Sequence, residues 1–77
     1  NGFSVLEREV PKFMVGRSIR GAHVRDRYGV QIILVEQAAG SGEERQEIMP
    51  HAGYRFGEGD SILVFGETEK VRRFQYL

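Results

Sequence analysis

A nucleophile, a base and a metal ligand are the residue types that build an active site, and in this sequence they lie apart. Cysteine is absent, and His23 and His51 are the only histidines. Their positions make no His-x-x-x-His metal pair, and a packed or solvated histidine is the simpler reading of each. Ser4, Ser18, Ser41 and Ser61 fall at strand, cap and loop positions, without the glycine-flanked elbow that exposes a nucleophile. The carboxylates are spread over turns and edges, and no acid/base pair stands out. Gly40-Ser41-Gly42 and Gly57-Glu58-Gly59 are rich in glycine but lack the Gly-x-x-x-x-Gly-Lys pattern. Neither precedes a helix whose N-terminus would hold a phosphate, so both read as hairpin turns. Glu58 and Asp60 would repel phosphate in any case. These residues point away from an enzyme and from a metal site.

The basic residues are more informative. Arg17, Arg20, Arg25 and Arg27 are opposed locally only by Asp26, a local excess of about three charges. A solvated helix face accounts for Arg17, Arg20 and Arg27. Arg25 differs by position, because it follows apolar Val24 and precedes an apolar strand. An arginine there can hold a carboxylate within the fold or an anionic ligand.

The elements that position these residues follow from periodicity. Residues 4–10 alternate and end at Pro11, which predicts a strand with Leu6 and Val10 on one face and Phe3 and Val5 on the other. Glu7, Arg8 and Glu9 mark it as a half-solvated edge. Phe13, Met14 and Val15 in the following connector must bury, either in the core or against a second copy. Residues 18–28 read as one helix, capped by Ser18 and stopped by Gly29, with Ile19, Ala22, His23 and Val24 turned inward. Gly21 lowers its intrinsic helicity by about 1 kcal/mol, so it depends on packing. Residues 30–35 are apolar on both faces and predict a central strand covered on both sides. Residues 37–42 have loop composition and 45–49 read as a short strand, together a hairpin. Pro50 to Gly53 form a turn, 54–56 continue briefly as strand, and 61–65 are a second buried strand. Residues 68–76 predict a short helix capped by Thr68, with Val71, Phe74 and Leu77 on one stripe. Strand, helix, three or four strands and a short helix give an α+β fold: two layers, a mainly antiparallel sheet with one main helix on a face and a short C-terminal helix.

Composition bounds what such a fold does. The 77 residues make one domain, and one small enough to gain from dimerisation or attachment to a larger protein. Eleven Lys and Arg balance eleven Asp and Glu, which argues against a nucleic-acid binder. No apolar run approaches the roughly 20 residues that span a bilayer, and no signal peptide is apparent. A start at Asn1 rather than Met suggests a single domain, residues 1–77, excised from a longer chain.

An ordered set of short segments resembles the TrkA-C (RCK C-terminal) domain family of potassium and cation transport regulators. Val15-Gly16-Arg17-Ser18-Ile19 is similar to its helix start, and Val24-Arg25-Asp26-Arg27-Tyr28-Gly29-Val30 to its helix end. Ile32-Ile33-Leu34-Val35 matches its apolar strand, and Glu47-Ile48-Met49-Pro50 its short strand with a proline. Tyr54 to Gly66 resembles the closing pattern of turn, Gly-Asp, apolar strand and Gly. Gly21 and Ala22 depart from the family, which often has an acid and a leucine there.

The resemblance implies a cytoplasmic regulatory and ligand-sensing domain that forms homodimers and acts on a potassium channel, a potassium uptake system or a cation/proton antiporter at the inner membrane. It implies no membrane insertion by the domain itself and no nucleic-acid partner. No cofactor is implied beyond an effector: some members bind cyclic di-AMP at the dimer interface. Carried over residue by residue, that site is Ile19, Val24, Arg25, Gln31 and Pro50, with Gln31 standing where asparagine is frequent in the binders. Two other roles fit the same residues: a dimerisation module without ligand, with Arg25 in an internal ion pair, and the effector domain of a transcription regulator.

Overall fold

The computed structural model describes residues 2–38 and 44–77. Four antiparallel strands form one sheet: β1 (Phe3–Glu9), β2 (Val30–Gln37), β3 (Gln46–Ile48) and β4 (Ser61–Glu67). Their order is β1-β4-β2-β3, so β1 is an edge, as its charges predict, and β4 and β2 are central. Three short helices, α1 (Ile19–Ala22), α2 (Val24–Tyr28) and α3 (Thr68–Gln75), complete the α+β fold. A 3-10 turn at Lys12–Met14 follows β1.

Alternation decides which side of each strand meets the core. Ile62 and Val64 of β4 and Val30, Ile32 and Val35 of β2 are buried beneath the helices. Val24, Val71, Phe74, Met14 and Phe56 close over them. A register shift between Ile32 and Leu34 inserts Ile33 as a bulge. The connector divides its apolar residues: Met14 is buried in the core, Val15 packs at its margin and Phe13 is exposed.

Several expectations are corrected. The helix expected over 18–28 is broken at His23, whose backbone is left-handed with φ 49° and ψ 42°. His23 ends α1 and starts α2, and its side chain is exposed instead of turned inward. With Gly21 weakening the first turn, the break lets Ala22 and Val24 both reach the core. The second face of β2 is open, because Gln31 and Ile33 are exposed. Residues 54–56 make only a single bridge, Ser18 to Arg55, in place of a strand. Thr68 does not cap α3; its hydroxyl shares a 2.7 Å hydrogen bond with Ser4 of β1. Leu77 is exposed, while Val71 and Phe74 bury as expected. Gly40-Ser41-Gly42 lies outside the described residues.

Arg8 fastens the edge. Its Nη1 donates to the carbonyls of Phe74 (2.9 Å), Gln75 (3.2 Å) and Leu77 (3.1 Å). The guanidinium also lies 5.8 Å from the centre of the Phe74 ring. Phe74 and Gln75 close α3 and Leu77 follows it, a helix C-terminal end where the dipole favours a cation.

Candidate functional site

The turn at 50–53 is held against α1 by backbone bonds. The Ile19 N–H donates to the Tyr54 carbonyl (2.9 Å) and the Arg20 N–H to the Ala52 carbonyl (3.1 Å). The Ser18 hydroxyl accepts from the Gly21 N–H at 2.9 Å, the cap that the sequence predicts. The unpaired donors of the first helical turn thus seat the turn that carries Pro50.

A buried carboxylate holds the other end of that turn. Asp60 accepts from the Tyr54 hydroxyl (2.6 Å), the Gly57 N–H (2.8 Å) and the Ala38 N–H (2.9 Å). Burial pushes the Tyr54 phenol up to about 12, and its bond to Asp60 adds to the shift. The Tyr54 ring meets His51 and Phe56 edge-on, with centroids 6.0 and 5.9 Å apart. Asp60 therefore organises the Gly57-Glu58-Gly59 turn instead of merely repelling phosphate.

Between this turn, the broken helix and the start of β2 lies an open cleft of about 440 Å³. All five residues carried over in the sequence reading, Ile19, Val24, Arg25, Gln31 and Pro50, line it. Val24, Val30 and Ile32 are buried and supply its apolar floor, with Ile19 and Pro50 half-buried beside them. Arg20, His23, Arg25 and His51 stand around it, and Asp26 is the one carboxylate among the lining residues. His23 Nδ1 is 3.8 Å from Asp26, too far for a hydrogen bond.

Arg25 is exposed and makes no hydrogen bond or ion pair among the described residues. No internal ion pair of Arg25 forms among the described residues, and the guanidinium lies exposed at the cleft. β2 also leaves an edge there: it pairs with β4 from Val30 onward, but with β3 only over Val35 to Gln37. Among the described residues, the first half of β2 has no strand on its other side, so its backbone groups face the cleft region unpaired.

Sequence reasoning missed the convergence of the two histidines on one cleft. His51 adjoins Pro50, which was the only local signal. Among the described residues, no three His, Cys, Asp or Glu side chains are grouped to hold a metal.

The profile of the TrkA-C domain matches residues 5–77. The chain belongs to the TrkA-C domain family. Solved structures share the fold. A GsuK RCK domain has a TM-score of 0.78 at 24% identity over 97% of this chain and 16% of that one. The KtrA RCK C domain in complex with cyclic di-AMP has a TM-score of 0.74 at 27% identity, over 96% of this chain and 81% of that one. The RCK_C dimer of S. agalactiae BusR with cyclic di-AMP has a TM-score of 0.72 at 22% identity, over 95% and 92%. The TrkA-C domain thus spans about one-sixth of the GsuK chain and most of the other two. No curated protein sequence matches. The family is regulatory and ligand-binding, and no described helix of this TrkA-C domain is long and apolar enough to cross a membrane.

Proposed function

We propose that this TrkA-C domain is the cytoplasmic ligand-sensing and dimerisation module of a potassium or cation transport system, and that its effector is a cyclic dinucleotide such as cyclic di-AMP. The observation that carries this reading is the meeting of Ile19, Val24, Arg25, Gln31 and Pro50 in one cleft, with Arg25 unpaired among the described residues. The apolar floor suits an adenine face, and Arg25 suits a phosphate.

Two copies complete the site. The cleft is open on one side and borders the free half of β2, an edge prone to pairing. A two-fold ligand then receives the same patch from each copy. It stabilises one arrangement of the pair by its differential affinity for that arrangement, which an attached channel or transporter subunit can read. The cyclic di-AMP complex of KtrA, at 27% identity, supports the ligand class. Gln31 sets a limit on affinity, since its extra methylene displaces the amide relative to asparagine.

Isothermal titration calorimetry tests the proposal, with light scattering to establish the oligomeric state. The expected result is one cyclic di-AMP per two chains, with binding abolished in Arg25→Ala and strengthened in Gln31→Asn. A folded dimer that gives no heat with cyclic di-AMP overturns the cyclic-dinucleotide reading and leaves a dimerisation module without this ligand.

A further inference from the structure

The sheet carries helices on one face only, and the opposite face has a polarity of its own. Phe3 (66% exposed), Val5 (55%) and Phe65 (41%) form an apolar patch there. The Phe3 and Phe65 rings stack with centroids 5.4 Å apart, and Val5 lies directly across from Phe65 in the β1–β4 register. One pleat further along, Glu7 faces Leu63, which faces Leu34. That row opens into a shallow trough of about 240 Å³, lined among others by Glu7, Glu36 and Glu47.

The trough concentrates negative charge. Glu36 and Glu47 are directly opposite each other in the β2–β3 register, a like-charge pair that weakens a sheet. Arg45 approaches Glu36 at 3.8 Å, while Glu7 and Glu47 have no ion pair among the described residues. None of the strand positions on this face is Lys or Arg. The chain as a whole is neutral, so this face is acidic by arrangement.

Those charges select the occupant. A second copy using the same face would bring carboxylates against carboxylates or bury them on phenylalanine, and both are costly. A partner must offer an apolar row followed by cations. From Phe3 to Glu7 is four strand residues, about 13 Å at ~3.3 Å each. A helix covers that length in about nine residues, between two and three turns. Helices are also the elements that cover open faces of sheets. We infer that the open sheet face docks a cationic amphipathic helix, its apolar stripe on Phe3, Val5 and Phe65 and its Lys or Arg residues over Glu7, Glu36 and Glu47. Gln31, which lines the cleft of Arg25, is also the cross-strand neighbour of Phe65, so the two surfaces meet at that residue; the inference rests on Phe3, Val5, Phe65 and the three glutamates and does not depend on the ligand proposed at the cleft.

The test is an NMR titration of the 15N-labelled chain with a three-turn Leu/Lys amphipathic peptide, and with the same peptide carrying Glu in place of Lys. Amide shifts confined to β1, β4 and the β2–β3 pair, for the Leu/Lys peptide alone, are expected. The Glu7→Lys/Glu36→Lys/Glu47→Lys variant should lose about tenfold in affinity for it and gain the Leu/Glu peptide, as charge complementarity dictates. Phe65→Ser should weaken binding by at least about tenfold; Val5→Ser, at a more exposed edge position, serves if Phe65→Ser does not give a folded amide spectrum. Equal binding of both peptides, or shifts elsewhere, overturns the inference. So does light scattering that shows Phe65→Ser or Val5→Ser splitting a dimer, since a second copy would then own this face.

Discussion

Replacing Asp60 probes the scaffold of the cleft wall directly. At ~0.05–0.15 kcal/mol per residue, a chain of 77 residues has a total stability of about 4–12 kcal/mol. Asp60 is 2% exposed and accepts three hydrogen bonds. Ala38 is exposed, so water replaces the partner of its N–H in Asp60→Ala. The Tyr54 hydroxyl and Gly57 N–H lose their acceptor. At ~1.5–3 kcal/mol for each of these two bonds to a charged group, Asp60→Ala costs about 3–6 kcal/mol. Asp60→Asn is milder. Oδ2 accepts from both Tyr54 and Gly57, so the amide oxygen takes that place and the NH₂ turns towards Ala38. One bond is lost there and two weaken, a cost of about 1–3 kcal/mol. Tyr54→Phe removes one bond, about 1.5 kcal/mol. Urea unfolding followed by circular dichroism should rank the variants in that order, with melting lowered by about 4–8 °C per kcal/mol. Tyr54→Phe introduced into the Asp60→Ala background should cost little, because the two groups act through one bond. The reasoning fails if Asp60→Ala unfolds within about 0.5 kcal/mol of the parent, or if Tyr54→Phe costs as much in the Asp60→Ala background as alone.

Three further outcomes follow from features of the fold. The Tyr54 phenol is held near about 12 when folded, against ~10 when unfolded, so the unfolded chain loses its proton first as pH rises. Its contribution is intact below pH ~10 and declines between there and about 12, and Tyr54→Phe should remove that part of the slope in urea midpoints measured against pH. Arg8→Ala should cost about 1–3 kcal/mol and speed amide exchange at the end of α3, where three carbonyls lose their donor; unchanged exchange there would refute the latch. At the helix break, His23→Val should destabilise by about 1–2 kcal/mol because a β-branched residue resists φ of 49°, while His23→Gly stays near neutral. A neutral His23→Val, read by the same unfolding assay, would mean that the helix runs unbroken through residue 23.

What was legible in the sequence was local. Alternation at 4–10, the apolar run at 61–65, and the Ser18 and Gly29 boundaries placed the edge strand, a buried strand and the helix ends, because each depends on a few neighbouring residues. The break at His23 was not visible: Gly21 was the weak point by propensity, yet the chain turns where Ala22 and Val24 both need the core. Thr68 matched a cap by spacing but serves β1, since its partner Ser4 lies 64 residues away. Asp60 looked like a turn acid, and its role rests on Ala38, 22 residues earlier. The five cleft residues were named through a family resemblance. Their spacing alone marked only Arg25, and it could not show that backbone bonds from Ile19 and Arg20 draw the Pro50 turn alongside.

The strand order β1-β4-β2-β3 also governs how the chain must come together in time. β1 and β2 do not pair with each other in the sheet; both wait for β4, the latest of the described strands in the sequence. Until it emerges from the ribosome, β1 has no strand partner among the described residues and β2 has only the short register with β3. Pairing that spans nearly the whole chain is slow to nucleate, because the loop must close before any contact rewards it. During that interval Val5, Ile32 and Ile33 are exposed on unpaired edges, the kind of transiently open apolar surface that favours aggregation. A stop codon just before Ser61 would leave β1 and the β2–β3 pair with no strand to join them.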